Sequence, residues 1–315
     1  MANGTKLLLY IACIVIVILL LYIIVIKPHN ITSSSTTTIN YSSTQNQSIN
    51  TIQPVYNPTS YKGQAPVIFT NTTILTGDIV TTGNITILLR GVTLNTVGYS
   101  LISGGTLNNQ GTIISSLAGN GGSSTNQNGG NMPYSYGGSG GGGWAYGCGN
   151  AAGGNNEGIG GNTQVAGGKG ATGFNAGGGG GASTNQSTLT NLQVQTMYNN
   201  GMAQYLEGAG GGAATNCDTL ANGGSGSFGV YIQATNVIAG NINTVGQSGN
   251  GGNEEAGGGG GGGAIFISYG NGGYQAGFYN TTGGGGGTGL YGKGGAGGSG
   301  AVLVYNYGRS PPIST

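Results

Sequence analysis

The residues that most often carry out catalysis are scarce in this chain of 315 residues. Its single histidine, His29, lies close to the N-terminus, and its three cysteines, Cys13, Cys148 and Cys217, are far apart in sequence. Serine and cysteine nucleophiles need a histidine beside them, and zinc sites need clustered cysteine and histidine. The sequence therefore predicts no catalytic, cofactor-binding or metal-binding residue, and a protein that is not an enzyme.

The carboxylates form no recognisable pair. The six acidic residues are Asp78, Glu157, Glu207, Asp218, Glu254 and Glu255. A glycosidase needs two carboxylates that face each other across the substrate. The adjacent Glu254 and Glu255 would point to opposite faces of an extended chain, so the pattern favours solvated loops over hydrolysis.

Composition excludes further classes of protein. The chain has 7 basic and 6 acidic residues, a net charge of +1, and 74 glycines. Without a basic field it is not expected to bind nucleic acid. Collagen is excluded because glycine does not recur at every third residue and proline is rare. An uncharged, glycine-rich β protein remains.

An apolar run near the N-terminus predicts a membrane anchor. Residues 7–26 contain no charged side chain and would span roughly 30 Å as a helix, the thickness of the hydrocarbon core of a bilayer. We expect one transmembrane helix that binds the lipid bilayer, with residues 1–6 as a short tail. A cleaved secretory signal and a pilin-type leader are the alternatives.

The next segment has the composition of an exposed stalk. Residues 31–60 contain 14 serines or threonines and no charge, so residues 27–66 are predicted to be an extended spacer. Glycosylation acceptors of the Asn-X-Ser/Thr type occur at Asn30, Asn40, Asn46, Asn71, Asn84, Asn185 and Asn280. Their concentration before residue 86 favours a glycosylated ectodomain outside the membrane, at a cell surface, a host membrane or a virion envelope.

Two β regions are predicted beyond the stalk. Residues 67–118 read as short strands rich in β-branched residues and separated by Gly or Asn turns, which is typical of a sandwich or a β-solenoid. Residues 119–308 are glycine-rich, and residues 309–315 form a C-terminal tail. We therefore predict an all-β ectodomain, β-solenoid or sandwich-like, behind one transmembrane helix.

The glycine-rich region contains a repeat of 35 to 37 residues. Val230-Tyr231-Ile232, Ile265-Phe266-Ile267 and Val302-Leu303-Val304 each follow a glycine-rich run, and residues 239–246 match residues 276–283. This period indicates stacked supersecondary units. The runs Gly177 to Gly181, Gly257 to Gly263 and Gly283 to Gly287 are either mobile loops or extended chains packed where no Cβ fits.

The segments GGGGGGGAIFISYGNGG and GGAGGSGAVLVYNYG carry a resemblance. They resemble the glycine-rich distal domains of phage tail-fibre adhesins, in which polyglycine-II segments form a layered sandwich. The pattern is also similar to Gly/Asn/Thr-rich surface proteins of thermoacidophilic archaea and their viruses, which the anchor and stalk fit better. The resemblance implies surface display and receptor binding, and no catalytic residue.

Three further expectations concern contacts. Tyr134, Tyr136, Trp144 and Tyr146 either contact a partner, since aromatic faces bind sugars and anchor interfaces, or fill gaps between glycine layers. Cys148 and Cys217 are either a disulfide or two separate buried thiols. We expect adhesion to a cell-surface glycan or protein receptor; the alternative is a coat or filament subunit that associates with itself.

Overall fold

The structure, a computed structural model, describes residues 52–87, 90–117, 121, 137–138, 140–145, 150–151, 206–216, 219–290 and 292–306. All of them lie in the compact unit Thr51–Thr315. No helix among them is long and apolar enough to cross a membrane. The predicted anchor, residues 7–26, and most of the predicted stalk lie outside the described residues.

The described residues form strands and no helical element, as the sequence predicted. The first group is β1 (Val55–Tyr56), β2 (Tyr61–Gly63), β3 (Val67–Phe69), β4 (Thr73–Ile74), β5 (Ile79–Thr81), β6 (Ile85–Ile87), β7 (Thr93–Asn95), β8 (Ser100–Asn109) and β9 (Thr112–Ile114). The second is β10 (Trp144–Ala145), β11 (Asn150–Ala151), β12 (Ala214–Asn216) and β13 (Thr219–Ala221). The third is β14 (Val230–Ile238), β15 (Asn241–Asn243), β16 (Glu255–Ala256), β17 (Ile265–Gln275), β18 (Phe278–Asn280) and β19 (Val302–Asn306).

Most of these strands pair in parallel, in one sheet of nine strands and one of five. The chain passes repeatedly through three strand positions, here called T1, T2 and T3. T1 contains β2, β5, the first halves of β8, β14 and β17, and β19; T2 contains β1, β3, β6 and the second halves of β8, β14 and β17. T3 contains β4, β7, β9, β15 and β18. One passage through T1, T2 and T3 is a coil, and the coils form a coil stack that is compatible with the predicted β-solenoid.

The coil stack is held together by columns of apolar side chains. Residues that are Cα partners in successive coils point to the same side of the sheet, and alternate residues of each strand point into the core, since side chains in parallel strands stand above one another in register. The columns contain Ile79, Leu101, Ile232 and Ile267 at T1, Val67, Ile85, Leu107 and Val237 at T2, and Leu94, Ile113 and Ile242 at T3. All of them are fully buried. The β-branched residues that predicted strands therefore also form the core.

The repeat of 35 to 37 residues is one coil plus one glycine-rich excursion. Val230, Ile265 and Val302 are Cα partners in successive coils, as predicted for stacked units. The same sheets continue without a break into the earlier coils, because β14 pairs with β8 and β15 pairs with β9. The sharp change in composition near residue 119 therefore does not interrupt the ladders.

Each glycine-rich excursion leaves the stack after T3 and returns at T1. Residues 244–264 connect β15 to β17, and residues 281–301 connect β18 to β19. A longer excursion connects β9 to β14. Their extended segments, here called arms, are residues 137–138 with 140–143, and residues 206–213, 223–229, 244–250, 257–264, 281–287 and 294–301. Together the arms form what we call the glycine bundle.

Residues 257–264 are the central arm of the bundle, and their N–H groups donate in three directions. The N–H groups of three consecutive residues donate to carbonyl groups of three different arms: 244–250, 206–213 and 294–301. Every third residue of the central arm therefore donates to the same arm. Gly260 donates to Gln247 over 2.9 Å, Gly261 to Ala209 over 2.7 Å, and Gly262 to Gly298 over 3.0 Å. Such a repeat is that of an extended chain with three residues per turn and a rise of about 3.1 Å per residue.

The carbonyl groups of the central arm accept from three other arms. The oxygens of Gly258, Gly260 and Gly262 accept from the N–H groups of Gly224, Gly284 and Gly138 over 2.8, 2.7 and 2.7 Å, respectively. The central arm is therefore hydrogen-bonded to six neighbours, three as donor and three as acceptor. All of its residues are buried.

Glycine is required along most of the central arm because a Cβ would meet a neighbouring backbone. None of its residues has a positive φ, so conformational freedom is not the reason. Added Cβ atoms on Gly258, Gly260 and Gly262 would overlap the carbonyl oxygens of Gly141, Ser225 and Thr281, respectively. Of the two alternatives for the glycine runs, Gly257 to Gly263 is packed; Gly177 to Gly181 lies outside the described residues.

Candidate functional site: the tip of the glycine bundle

The geometry of the arms brings several turns to one end of the bundle. Arms 244–250 and 281–287 lead away from the coil stack, and arms 257–264 and 294–301 return to it, antiparallel to the first two. The turns at residues 251–256 and at residues 288–290 and 292–293 therefore lie together at the end farthest from the stack. Leu290 N–H donates to the carbonyl of Asn253 over 2.9 Å and joins the two turns. We call this end the tip.

Short antiparallel strands surround these turns. In β10 and β16, Trp144 is the Cα partner of Ala256, and Ala145 is the partner of Glu255. Strands β11, β12 and β13 form a second antiparallel ladder. The tip is thus built from antiparallel pairs, whereas the coils of the stack pair in parallel.

The exposed chemistry of the tip is nearly neutral. Leu290 is 72% exposed and Leu220 is 39% exposed. Glu254 and Lys293 are exposed charges of opposite sign, whereas Glu255 is buried and its carboxylate accepts from the Glu254 N–H over 3.2 Å. Such a surface offers apolar contact and hydrogen bonds and has no strong field that would attract a charged molecule.

The predicted contact residues are only partly covered by the structure. The backbone of Trp144 lies at the tip, next to Ala256. Tyr134, Tyr136 and Tyr146 lie outside the described residues. Whether these aromatics contact a partner or fill gaps stays a prediction, but Trp144 belongs to the end of the bundle that carries the exposed turns.

Three of the seven predicted glycosylation acceptors lie in the described part of the chain. Asn71 and Asn84 are exposed, and Asn280 is half-buried. Asn30, Asn40, Asn46 and Asn185 lie outside the described residues, as do Cys148 and Cys217. The side-chain oxygen of Asn84 accepts from the Thr106 N–H over 2.8 Å, and that of Asn280 accepts from the Thr282 hydroxyl over 2.9 Å.

One carboxyl group has an unusual environment, but it is remote from the tip. Burial raises the pKa of Glu207 to about 7. Glu207 follows Leu206, whose carbonyl accepts from Ala264 beside the coil stack, so it lies at the opposite end of the bundle from Glu255. Among the described residues, no group of three His, Cys, Asp or Glu side chains could hold a metal ion.

Leu220 and Leu290 are tip residues that sequence reasoning did not select. A signal was available for Leu290, since it is a large apolar residue between two glycine-rich runs, where a turn is expected. The grouping of turns into one surface depends on which arms are neighbours, and no local pattern contains that information. Comparison of the chain with protein-family models, curated proteins and solved structures found no match.

Proposed function

We propose that this is a non-enzymatic surface protein, held by one membrane anchor, whose glycine bundle presents its tip to a receptor or a cell-surface glycan. The central arm is the observation that carries this proposal. It is buried, has no side chain from Gly257 to Gly263 and is hydrogen-bonded to six neighbours, so it forms a stiff support beneath the turns at residues 251–256 and at residues 288–290 and 292–293.

A stiff support favours recognition. Loops held on a rigid scaffold lose little entropy when they bind, and binding residues are frequently placed on such loops. The tip adds an exposed Leu290 and few charges. This chemistry suits a neutral glycan or a protein surface of low charge, in agreement with what the resemblance to phage adhesins implies.

We also infer that the whole ectodomain is a β-solenoid whose arms form a polyglycine-II-type bundle. The parallel coils and the three-residue repeat of backbone hydrogen bonds support this interpretation. The apolar run 7–26 and the acceptor sites before residue 86 support an anchored, externally exposed ectodomain.

The binding proposal is tested with the full chain in detergent. Binding to a panel of whole cells and to an array of neutral and charged glycans is measured for the wild type, for Leu290→Asp and for Tyr99→Asp. Tyr99 is an exposed aromatic residue in a turn of the coil stack and serves as the matched control. We expect Leu290→Asp alone to lower binding at least tenfold. Equal binding by all three proteins, or none by the wild type, would contradict the proposal.

The location is tested separately. The full chain should stay in the membrane fraction during carbonate extraction, and a chain lacking residues 1–27 should be soluble. Mass spectrometry of native protein should find glycans at Asn71 and Asn84, whose side chains are exposed. Release of the full chain by carbonate would argue against the anchor.

A further inference from the structure

Both ends of the coil stack are open strand edges among the described residues. At the N-terminal end, β1, β2 and β4 each pair on one side only. At the C-terminal end the same holds for β18, for β19 and for the second half of β17. A strand that pairs on one side only can add a further strand along its other edge.

Half of the exposed large apolar side chains among the described residues lie at these two ends. Of the ten large apolar residues that are exposed in the described part of the chain, Ile52, Tyr56 and Ile74 lie at the N-terminal end, and Phe278 and Val304 at the C-terminal end. Val304 continues the buried T1 column, in which Ile267 is fully buried, yet it is 43% exposed. Its exposure follows from its place at the end of the column, where no further coil among the described residues covers it.

We propose that the C-terminal end of one copy binds the N-terminal end of a second copy, head to tail, so that the coil stack continues across the two chains. The register of the columns specifies the contacts. At T1, Tyr61 would follow Val304, because both belong to the column that contains Ile79 and Ile267. At T2, Val55 would follow Tyr274 in the column that contains Val237.

One displacement satisfies both contacts. T1 extends one coil further than T2 at the C-terminal end, because β19 has no described T2 successor. At the N-terminal end T2 begins one coil earlier than T1, because β1 precedes β2. A shift of the second copy by six coils therefore continues T1 and T2 together, and leaves one strand position of T3 open.

The chemistry of the two ends fits this contact. Residues 265–280 and 302–306 contain no charged side chain. The hydroxyls of Tyr274 and Tyr279 bond to each other over 2.6 Å, so they need no partner from outside. Lys62, the charged residue of β2, would lie opposite Tyr305, where an ammonium group can contact an aromatic face. A head-to-tail contact of this kind does not close, and it generates a filament.

Engineered cysteines test the register in the full chain in its membrane. Adjacent strands lie about 4.8 Å apart, within the range that a disulfide bridges. After mild oxidation, a chain carrying both Tyr61→Cys and Val304→Cys should give a ladder of dimers, trimers and longer species on a non-reducing gel. A chain carrying Tyr61→Cys and Leu290→Cys is the matched control, since Leu290 is exposed but lies at the tip; it should give no ladder.

Edge charges provide a second test that needs no cysteine. In detergent, Tyr56→Lys and Val304→Lys should each abolish concentration-dependent assembly, because each blocks one end. An equimolar mixture of the two variants should give dimers and nothing longer, since one unblocked end remains on each. Leu290→Lys should assemble like the wild type, which separates this proposal from binding at the tip.

Three outcomes would overturn the proposal. The first is a wild type that stays monomeric in the membrane and in detergent at all concentrations. The second is an equal ladder from both cysteine pairs. The third is a ladder that forms only after residues 307–315 are deleted, because the C-terminal edge would then belong to the chain's own tail rather than to a second copy.

Discussion

The coil stack and the glycine bundle are both tightly packed, but the first is held by buried side chains and the second by backbone hydrogen bonds. In the coil stack, buried columns of Val, Ile and Leu exclude water, and glycine with a positive φ occurs at turns such as Gly91 and Gly98. In the bundle, Gly257 to Gly263 of the central arm have no side chains to bury, and the cohesion of the arm comes from backbone hydrogen bonds to six neighbours. Stability thus depends on the presence of side chains in one region and on their absence in the other.

The comparison also explains where the bundle tolerates side chains. An arm with three residues per turn presents every third residue in the same direction. Arm 244–250 has glycine where it faces the central arm, at Gly246 and Gly249, and exposed side chains at Val245, Gln247 and Ser248. The number of glycines per three residues therefore rises with the number of neighbours that an arm has.

The largest effect is expected in the core of the coil stack. Ile232→Ala in the unit Thr51–Thr315 should lower the free energy of unfolding by about 2 to 5 kcal/mol, because a fully buried side chain leaves a cavity. Urea denaturation measures this. Ile74→Ala, at a strand residue that is 59% exposed, is the control and should change stability little. Equal losses for both variants would show that the columns do not hold the stack together.

The next largest effect is expected in the central arm. Gly258→Ala, Gly260→Ala and Gly262→Ala each insert a methyl group against a backbone carbonyl, and overpacking of this kind typically costs 1 to 3 kcal/mol. We expect the melting temperature to fall for at least two of the three variants. Unchanged or raised melting temperatures for all three would mean that the arm is not packed.

A smaller, pH-dependent effect is expected at the base of the bundle. Burial raises the pKa of the Glu207 carboxyl from 4.5 to about 7, so between these values the folded chain holds a proton that the unfolded chain releases. The free energy of unfolding should therefore fall as pH rises from 4.5 to about 7. Denaturation at several pH values measures the slope, and Glu207→Gln should flatten it. A slope that is identical in the two proteins would rule out Glu207 as its source.

The sequence predicts the strands and the repeat of the coils, but not which strands pair across the long excursion. Alternation of apolar and polar residues predicted the short strands of residues 67–118, and the spacing of Val230, Ile265 and Val302 predicted stacked units; both are confirmed. The continuation of the sheets from β9 to β15 could not be read from the sequence. More than a hundred residues separate these strands, and their register depends on side chains that meet only after the excursion has folded.

The packed bundle was one of two alternatives, because composition alone does not distinguish packed glycine from loose glycine. The spacing of the residues other than glycine, at every third position of an arm, does indicate which side of the arm is less buried. Ala296 and Ser299 in one arm, and Ser225 and Phe228 in another, are three residues apart and less buried than the central arm. The tip could not be predicted, since its turns come together only through the hydrogen bonds between arms.

The most direct measurement compares two adjacent glycines of arm 281–287. A Cβ on Gly284 would overlap the carbonyl oxygen of Gln247, whereas the nearest atom to a Cβ on Gly285 is the Ser248 hydroxyl at 3.6 Å. The free energy of unfolding of the unit Thr51–Thr315 should fall by about 1 to 3 kcal/mol for Gly284→Ala. For Gly285→Ala it should rise by about 0.4 to 1 kcal/mol, because the unfolded chain loses entropy. Changes of the same sign at both positions would contradict a bundle whose cohesion depends on the absence of side chains.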